Sequence, residues 1–215
     1  MSRPLAVLRP EPGASATAAR IEALGARAIR LPLFAVHALA WEAPDPAGFD
    51  ALLLTSANAV RLGGAELQRL KDLPVLAIGT ATAAEAERAG LEIARIGRSD
   101  AAALLDQAQG YTRMLHLAGR ERTLEAGGPI AQVIPVYATE PLAVDAARLE
   151  GSVALIHSTR AGARLAEIAQ ARDRIAVAAI SAKALAAAGD GWAGRAAATE
   201  PSDTALIAAA LRLAD

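Results

Sequence analysis

"LLLTSANAV", residues 52–60, is an uninterrupted apolar run that ends on a threonine and a serine before alanine-rich sequence resumes. A short run of this kind, with no polar alternation, reads as a strand covered on both faces. The hydroxyl residues that follow suit the start of a helix. "ALIHSTRAG", residues 154–162, has the same design. Neither stretch has a glycine-rich loop, a cysteine or an adjacent carboxylate to account for its polar end.

Working outward, the two stretches prove to be parts of a longer repeat. "LLTSANA" (53–59) matches "LIHSTRA" (155–161), 102 residues later. "PVLAIGTATAAEAERAG" (74–90) matches "RIAVAAISAKALAAAGD" (174–190), so that Ile78-Gly79 falls on Ile180-Ser181. "RSDAAALL" (98–105) matches "PSDTALIA" (201–208), and "RLPLFA" (30–35) matches "VIPVYA" (133–138), which sets Phe34 opposite Tyr137. With a gap, "LAVLRP" (5–10) resembles "MLHLAG" (114–119). Similar segments in one order at a nearly constant shift point to duplication of a unit of about half the chain.

Within the unit, strand and helix patterns alternate. Strands are expected at 5–8, 28–34, 51–54, 75–78 and near 93–96. Helices are expected where Ala18, Ile21 and Leu24 share a face before Gly25, from about 57, at 81–89 before Gly90, and at 100–108. Such alternation predicts an α/β fold with parallel sheets and right-handed crossovers. Ser99-Asp100 and Ser202-Asp203 read as N-caps of the helices behind them. The segments 30–37 and 133–140 each carry a proline, which places them at an edge or in a connector. The two could pair as a two-stranded link between domains.

Composition narrows the function. The 215 residues are 53% hydrophobic and only 3% aromatic, with a net charge of −1, so no basic field invites nucleic acid. No cysteine is present, which removes disulfides, thiolate chemistry and Cys-based zinc. His37, His116 and His157 lack metal-ligand spacing, so no metal is expected. No apolar run reaches membrane-spanning length, and the start is too short in apolar residues for a signal peptide; a cytoplasmic protein is expected. GxGxxG, P-loop and GxSxG patterns are missing, so no dinucleotide, NTP or serine-hydrolase chemistry is indicated.

Ligands of open parallel sheets bind beyond the carboxyl ends of the strands. The residues predicted there are Arg9, Thr55, Ser56, Asn58, Gly79, Thr80, Thr82, Gly119, Arg120, His157, Ser158, Thr159, Arg160 and Ser181. Each stretch opens a helix, whose free N–H groups favour anions, and arginine can fork onto a carboxylate. An anionic small molecule is the expected ligand. Several of these residues also suit plain structural roles: Ser56, Asn58 and Ser158 as caps, Arg120 and Arg160 as surface charges, Tyr137 as a packing residue like Phe34.

At these residues the chain resembles the uroporphyrinogen-III synthase family. The resemblance rests on "VLRPEPGASATAARIEALG", "ALLLTSANAVR", "VLAIGTATAAEAERAG", "HLAGRER", "IPVYATEP", "ALIHSTRAGARL" and "EPSDTALIAAAL", which cover nearly the whole chain in order. It implies two α/β domains, 1–34 with 141–215 and 38–134, joined by linker strands at 35–37 and 135–140. It implies a linear tetrapyrrole polycarboxylate, hydroxymethylbilane, as substrate in the cleft between domains, a cofactor-independent lyase reaction and a monomer. By position it marks Tyr137 as an assisting acid and Arg9, Thr55, Ser56, Asn58, Gly79, Thr80, Thr82, Gly119, Arg120, Ser158, Thr159, Arg160 and Ser181 as substrate-binding. "ISAKALA" departs from the pattern: Lys183 stands where a hydroxyl is expected, so only Ser181 is counted there. The rival expectation is a non-catalytic, two-lobed anion-binding or regulatory module of the same fold.

Overall fold

The computed structural model describes residues 2–97 and 110–215. The chain divides into two compact units, Met1–Ala35 with Glu140–Asp215 (unit 1) and Val36–Thr139 (unit 2). The expected cap at Ser99-Asp100 and helix at 100–108 lie outside the described residues.

Unit 1 is built on five strands: β1 (Leu5–Val7), β2 (Ala28–Arg30), β9 (Val153–Ile156), β10 (Ala176–Ala179) and β11 (Gly194–Ala197). They lie in the order β11-β10-β9-β1-β2, and every pairing is parallel. The apolar runs of β1, β9 and β10 are buried throughout because helices cover both faces. On one face Ala6, Ala154, Ile156, Val177 and Ala179 pack with Ala161 and Leu165 of α5 (Thr159–Ile168) and Ala184 of α6 (Ala182–Ala187). On the other, Leu5, Val7, Val153, Leu155 and Ala178 meet Ala14, Ala18 and Ile21 of α1 (Gly13–Ala23). Leu206, Ile207 and Ala210 of α7 (Asp203–Ala214) complete that face. Burying one such Leu, Ile or Val side chain contributes about 1.5–3 kcal/mol, and alanine lets the layers approach closely. At Gly162 of α5 a Cβ would stand 2.6 Å from the Ala184 carbonyl oxygen, so the α5–α6 contact has no room for a side chain.

Unit 2 carries β4 (Ala51–Leu54), β5 (Val75–Ile78), β6 (Ile93–Gly97), β7 (Met114–Gly119) and β8 (Ile130–Pro141), with β3 (Phe34–Ala38) at the edge, in the order β3-β8-β7-β4-β5-β6. The pairings from β8 through β7, β4 and β5 to β6 are parallel. Short helices α2 (Ala57–Arg61) and α3 (Gly64–Gln68), and α4 (Thr80–Arg88), pack on the face bearing Leu52, Leu54, Val75, Ala77, Leu115 and Leu117. The left-handed backbone at Gly64 separates α2 from α3. The strand order β8-β7-β4-β5-β6 reproduces the order β2-β1-β9-β10-β11 of unit 1. Three of these correspondences, β7 with β1, β4 with β9 and β5 with β10, join segments that the sequence repeat aligns.

Two expectations are corrected. The single strand at 28–34 is two strands, β2 and β3, in different sheets, with a break at 31–33. Pro32 lies in that break, where its missing donor costs no ladder bond. Leu24, expected on the buried face of the first helix, is 63% exposed. It is the C-cap of α1; the chain turns away at Gly25 (φ +78°), whose N–H donates to the Glu22 carbonyl while that of Ala26 donates to Ile21. The proline segments do lie side by side as β3 and β8, and the chain passes between the units within each of them. Pro135 is accommodated on β8 by a bulge: Ala118 faces Pro135, but Gly119 faces Tyr137.

Candidate functional site

Because the strands run parallel, their carboxyl ends collect on one edge of each sheet. In unit 2 that edge carries Thr55, Ser56 and Asn58 after β4, Gly79, Thr80 and Thr82 after β5, Gly119 and Arg120 at the end of β7, and Tyr137 on the neighbouring β8. In unit 1 it carries Arg9 after β1, His157, Ser158, Thr159 and Arg160 after β9, and Ser181 after β10. The structure therefore sorts the sequence-predicted residues into two sets, one on each sheet.

The serines act as caps. Ser56 Oγ accepts from the N–H of Asn58, Ser158 Oγ from Ala161 and Ser181 Oγ from Ala184. Gly79 precedes α4 with φ +83°, a conformation that a side chain would strain, and Thr82 of the first turn is buried. Thr80 and Arg120 are exposed. Arg160 lays its guanidinium 4.6 Å from the centre of the Phe34 ring, so it stacks on an aromatic face. Lys183 is exposed near the start of α6.

The bulge in β8 decides the setting of Tyr137. It turns the side chain back over β7, where a Cβ on residue 119 would lie 2.9 Å from the ring and 3.0 Å from the hydroxyl oxygen. Gly119 is thus the floor beneath the Tyr137 ring. The Arg120 N–H donates to the Tyr137 carbonyl at 2.8 Å and ties the two strand ends together.

Sequence reasoning passed over two groups. His116 sits within the apolar run of β7 and is 1% exposed; its Nε2 lies 3.1 Å from Thr55 Oγ1. Burial, helped by the Arg122 charge and opposed by Glu125, pushes its pKa down to about 4, so the ring is neutral near pH 7. A histidine inside an otherwise apolar strand was a readable signal. Asp203, expected to act only in capping, gathers unit 1's polar edge. Its carboxylate accepts from Thr17 Oγ1 at 2.9 Å and Arg20 at 2.6 Å, and lies 2.9 Å from His157 Nε2 and 3.8 Å from Arg9. Ser202 does cap α7, through the N–H of Ala205. Thr17 and Asp203 are 186 residues apart, and no spacing announces their contact. Burial lowers the His157 pKa, though the hydrogen bond to Asp203 opposes it. Burial alone would raise Asp203, but hydrogen bonds from His157, Arg20 and Thr17 outweigh it and hold the carboxyl below its ordinary range.

A depression of about 260 Å³ in unit 1, lined by Val144, Asp145, Glu150, Ile168, Gln170 and Ile175, adjoins the segments that enter β9 and β10, at the opposite end of those strands from the candidate residues. No group of three or more metal-binding side chains gathers among the described residues, and no described helix is long and apolar enough to cross a membrane.

Two α/β units of matching strand order, each with hydroxyls, amides and arginines at the carboxyl ends of its parallel strands, are what the fold and its edges define. The chain belongs to the uroporphyrinogen-III synthase HemD family, whose model matches residues 15–208. No curated protein matches it. The fold is similar to that of uroporphyrinogen-III synthetase from Helicobacter pylori, at 17% identity over 98% of this chain and 99% of that one, with a TM-score of 0.69. A mutant uroporphyrinogen-III synthase from Thermus thermophilus is similar at 19% identity, over 94% and 96% of the two chains, with a TM-score of 0.51. The family assignment carries the function: an enzyme of haem biosynthesis that forms uroporphyrinogen III.

Proposed function

We propose that the chain is a cofactor-independent lyase that closes hydroxymethylbilane to uroporphyrinogen III, working as a cytoplasmic monomer. The substrate's terminal hydroxyl takes a proton and leaves as water, pushed out by the electron pair of its own pyrrole nitrogen. The azafulvene left behind is attacked by the substituted carbon of ring D, giving a spiro intermediate. The bond from ring D to its original bridging carbon then breaks and re-forms at the other side of the ring. Loss of a carbon-bound proton restores the aromatic pyrrole, and the sum is substrate to product plus one water. Positioning carries most of this chemistry, because the pyrroles supply the electrons. Strand-end N–H groups and hydroxyls, with Arg9, Arg120 and Arg160, hold the acetate and propionate groups.

The observation that best supports this reading is the setting of Tyr137. Its hydroxyl lies against Gly119 at a sheet edge rich in anion-ready groups, where a leaving hydroxyl needs a proton donor. The test is incubation with fresh hydroxymethylbilane, then oxidation and separation of the porphyrin isomers. Spontaneous closure yields type I, so a predominance of type III is the expected result; type I at the spontaneous rate would leave only a binding module. Tyr137→Phe should lower kcat by roughly ten- to hundredfold, the lower range for general acid assistance. An unchanged kcat would remove the tyrosine from the chemistry.

A further inference from the structure

The ion cluster at the start of α7 has a division of labour that capping does not need. Asp203 Oδ1 is taken up by Thr17 and the His157 ring, both at 2.9 Å, and Oδ2 by Arg20 at 2.6 Å. Arg9 approaches Oδ1 only to 3.8 Å, a charge contact beyond hydrogen-bond reach. On its other side the Arg9 side chain lies along the first residue of α1: a Cβ on Gly13 would fall 2.4 Å from its Nε. Among the described residues Arg9 donates no hydrogen bond, and its side chain is 37% exposed. The guanidinium is therefore held by charge on one side and by close packing on the other, and among the described residues no acceptor takes its fork of N–H donors. Were Oδ1 not already occupied, Asp203 would close a direct pair with Arg9 and leave fewer donors for a ligand. His157 has a neutral ring near pH 7, so it can donate to Oδ1 without adding a positive charge beside Arg9.

We propose that Asp203 is a positioning residue: with His157 it fixes the Arg9 guanidinium at the end of β1 for a substrate carboxylate. Asp203 touches no substrate atom in this scheme; it acts through Arg9. The inference rests on the proposed cyclisation of a tetrapyrrole polycarboxylate, and it adds a residue that the strand-end pattern does not mark.

A double-mutant cycle with hydroxymethylbilane as substrate tests it. Arg9→Gln should raise KM by about tenfold and Asp203→Asn by about fivefold, within the range of charged-pair couplings, with kcat inside about twofold of wild type. The double variant should be no worse than Arg9→Gln alone. A general loss of structure would instead add to the Arg9 effect. Arg20→Gln, which removes a 2.6 Å contact to the same carboxylate, should leave KM unchanged. If Asp203→Asn folds poorly, Gly13→Ala displaces Arg9 from its other side and should raise KM in the same non-additive way. Unchanged or lowered KM in Asp203→Asn, or additive effects in either cycle, would overturn the role of Asp203 while leaving the enzyme reading intact. Absence of type III product from the wild type would overturn both.

Discussion

The two sheets share one strand order but finish their edges differently. In unit 1 the histidine stands at the end of β9, and its partner is a carboxylate brought in by α7. In unit 2 the histidine stands one strand over, within β7, and among the described residues its partner is the Thr55 hydroxyl. Both rings are pushed toward the neutral form by burial; the opposing carboxylate is hydrogen-bonded to the ring at His157, through Asp203, but acts only through its charge at His116, through Glu125. Among the described residues, one topology therefore bonds its histidine to a carboxylate at one edge and to a hydroxyl at the other. The polar edge of unit 1 orders arginines; that of unit 2 orders a tyrosine over a glycine.

The largest expected effect separates a glycine needed for packing from one needed for the site. Gly162→Ala in unit 1 drives a methyl into backbone at 2.6 Å, so α5 and α6 must part. It should cost about 3 kcal/mol, the upper range for overpacking, in urea unfolding, while the folded fraction keeps its turnover. A loss of turnover without a loss of stability would break the distinction.

Next in size is the pH response of the edge that holds His116. The unfolded chain protonates His116 near pH 6.5, the folded protein only near pH 4. The stability of the neutral ring is thus fully present above pH 6.5 and is lost as pH falls toward 4, by about 3 kcal/mol for a shift of this size. His157, also lowered, acts in the same direction, whereas Asp203 contributes its loss only below the ordinary carboxylate range. Unfolding of wild type and His116→Gln between pH 4 and 7.5 should show the slope flattened in the variant. Equal slopes would mean that the buried ring does not govern this edge.

A third variant sharpens the role of the tyrosine. Gly119→Ala places a methyl about where the Tyr137 ring now lies, and the ring must tilt away from the β7 end. We expect kcat to fall by about tenfold, comparable with Tyr137→Phe, and the two changes to be non-additive. Additive losses would show that Gly119 serves something other than the ring. The smallest change is the loss of a cap: Ser158→Ala or Ser56→Ala should each cost about 1 kcal/mol of stability.

Much of the architecture is legible along the chain because its signals are local. The apolar runs at 51–54 and 153–156 become buried parallel strands, and Gly25 and Gly90 stop helices where left-handed backbone is required. The strand-end hydroxyls fall where the βα grammar places them. Leu24 fails because helical periodicity alone does not show that the helix ends one residue earlier. Pro32 was readable as an interruption, but the departure of β2 and β3 to different sheets is set by partners far away in sequence.

By itself, then, the sequence determined the alternation of strand and helix, the repeat, the family and the edge on which polar groups collect. These follow from periodicity, caps and the direction of parallel strands, all carried by residues close together in the chain. Only the tertiary structure decided that Tyr137 lies over Gly119, that Thr55 meets His116, and that Asp203 joins Thr17, Arg20, His157 and Arg9. Those contacts depend on strand register, on a bulge and on the packing of helices more than a hundred residues apart. No local preference encodes them; they follow from which faces the strands and helices bury.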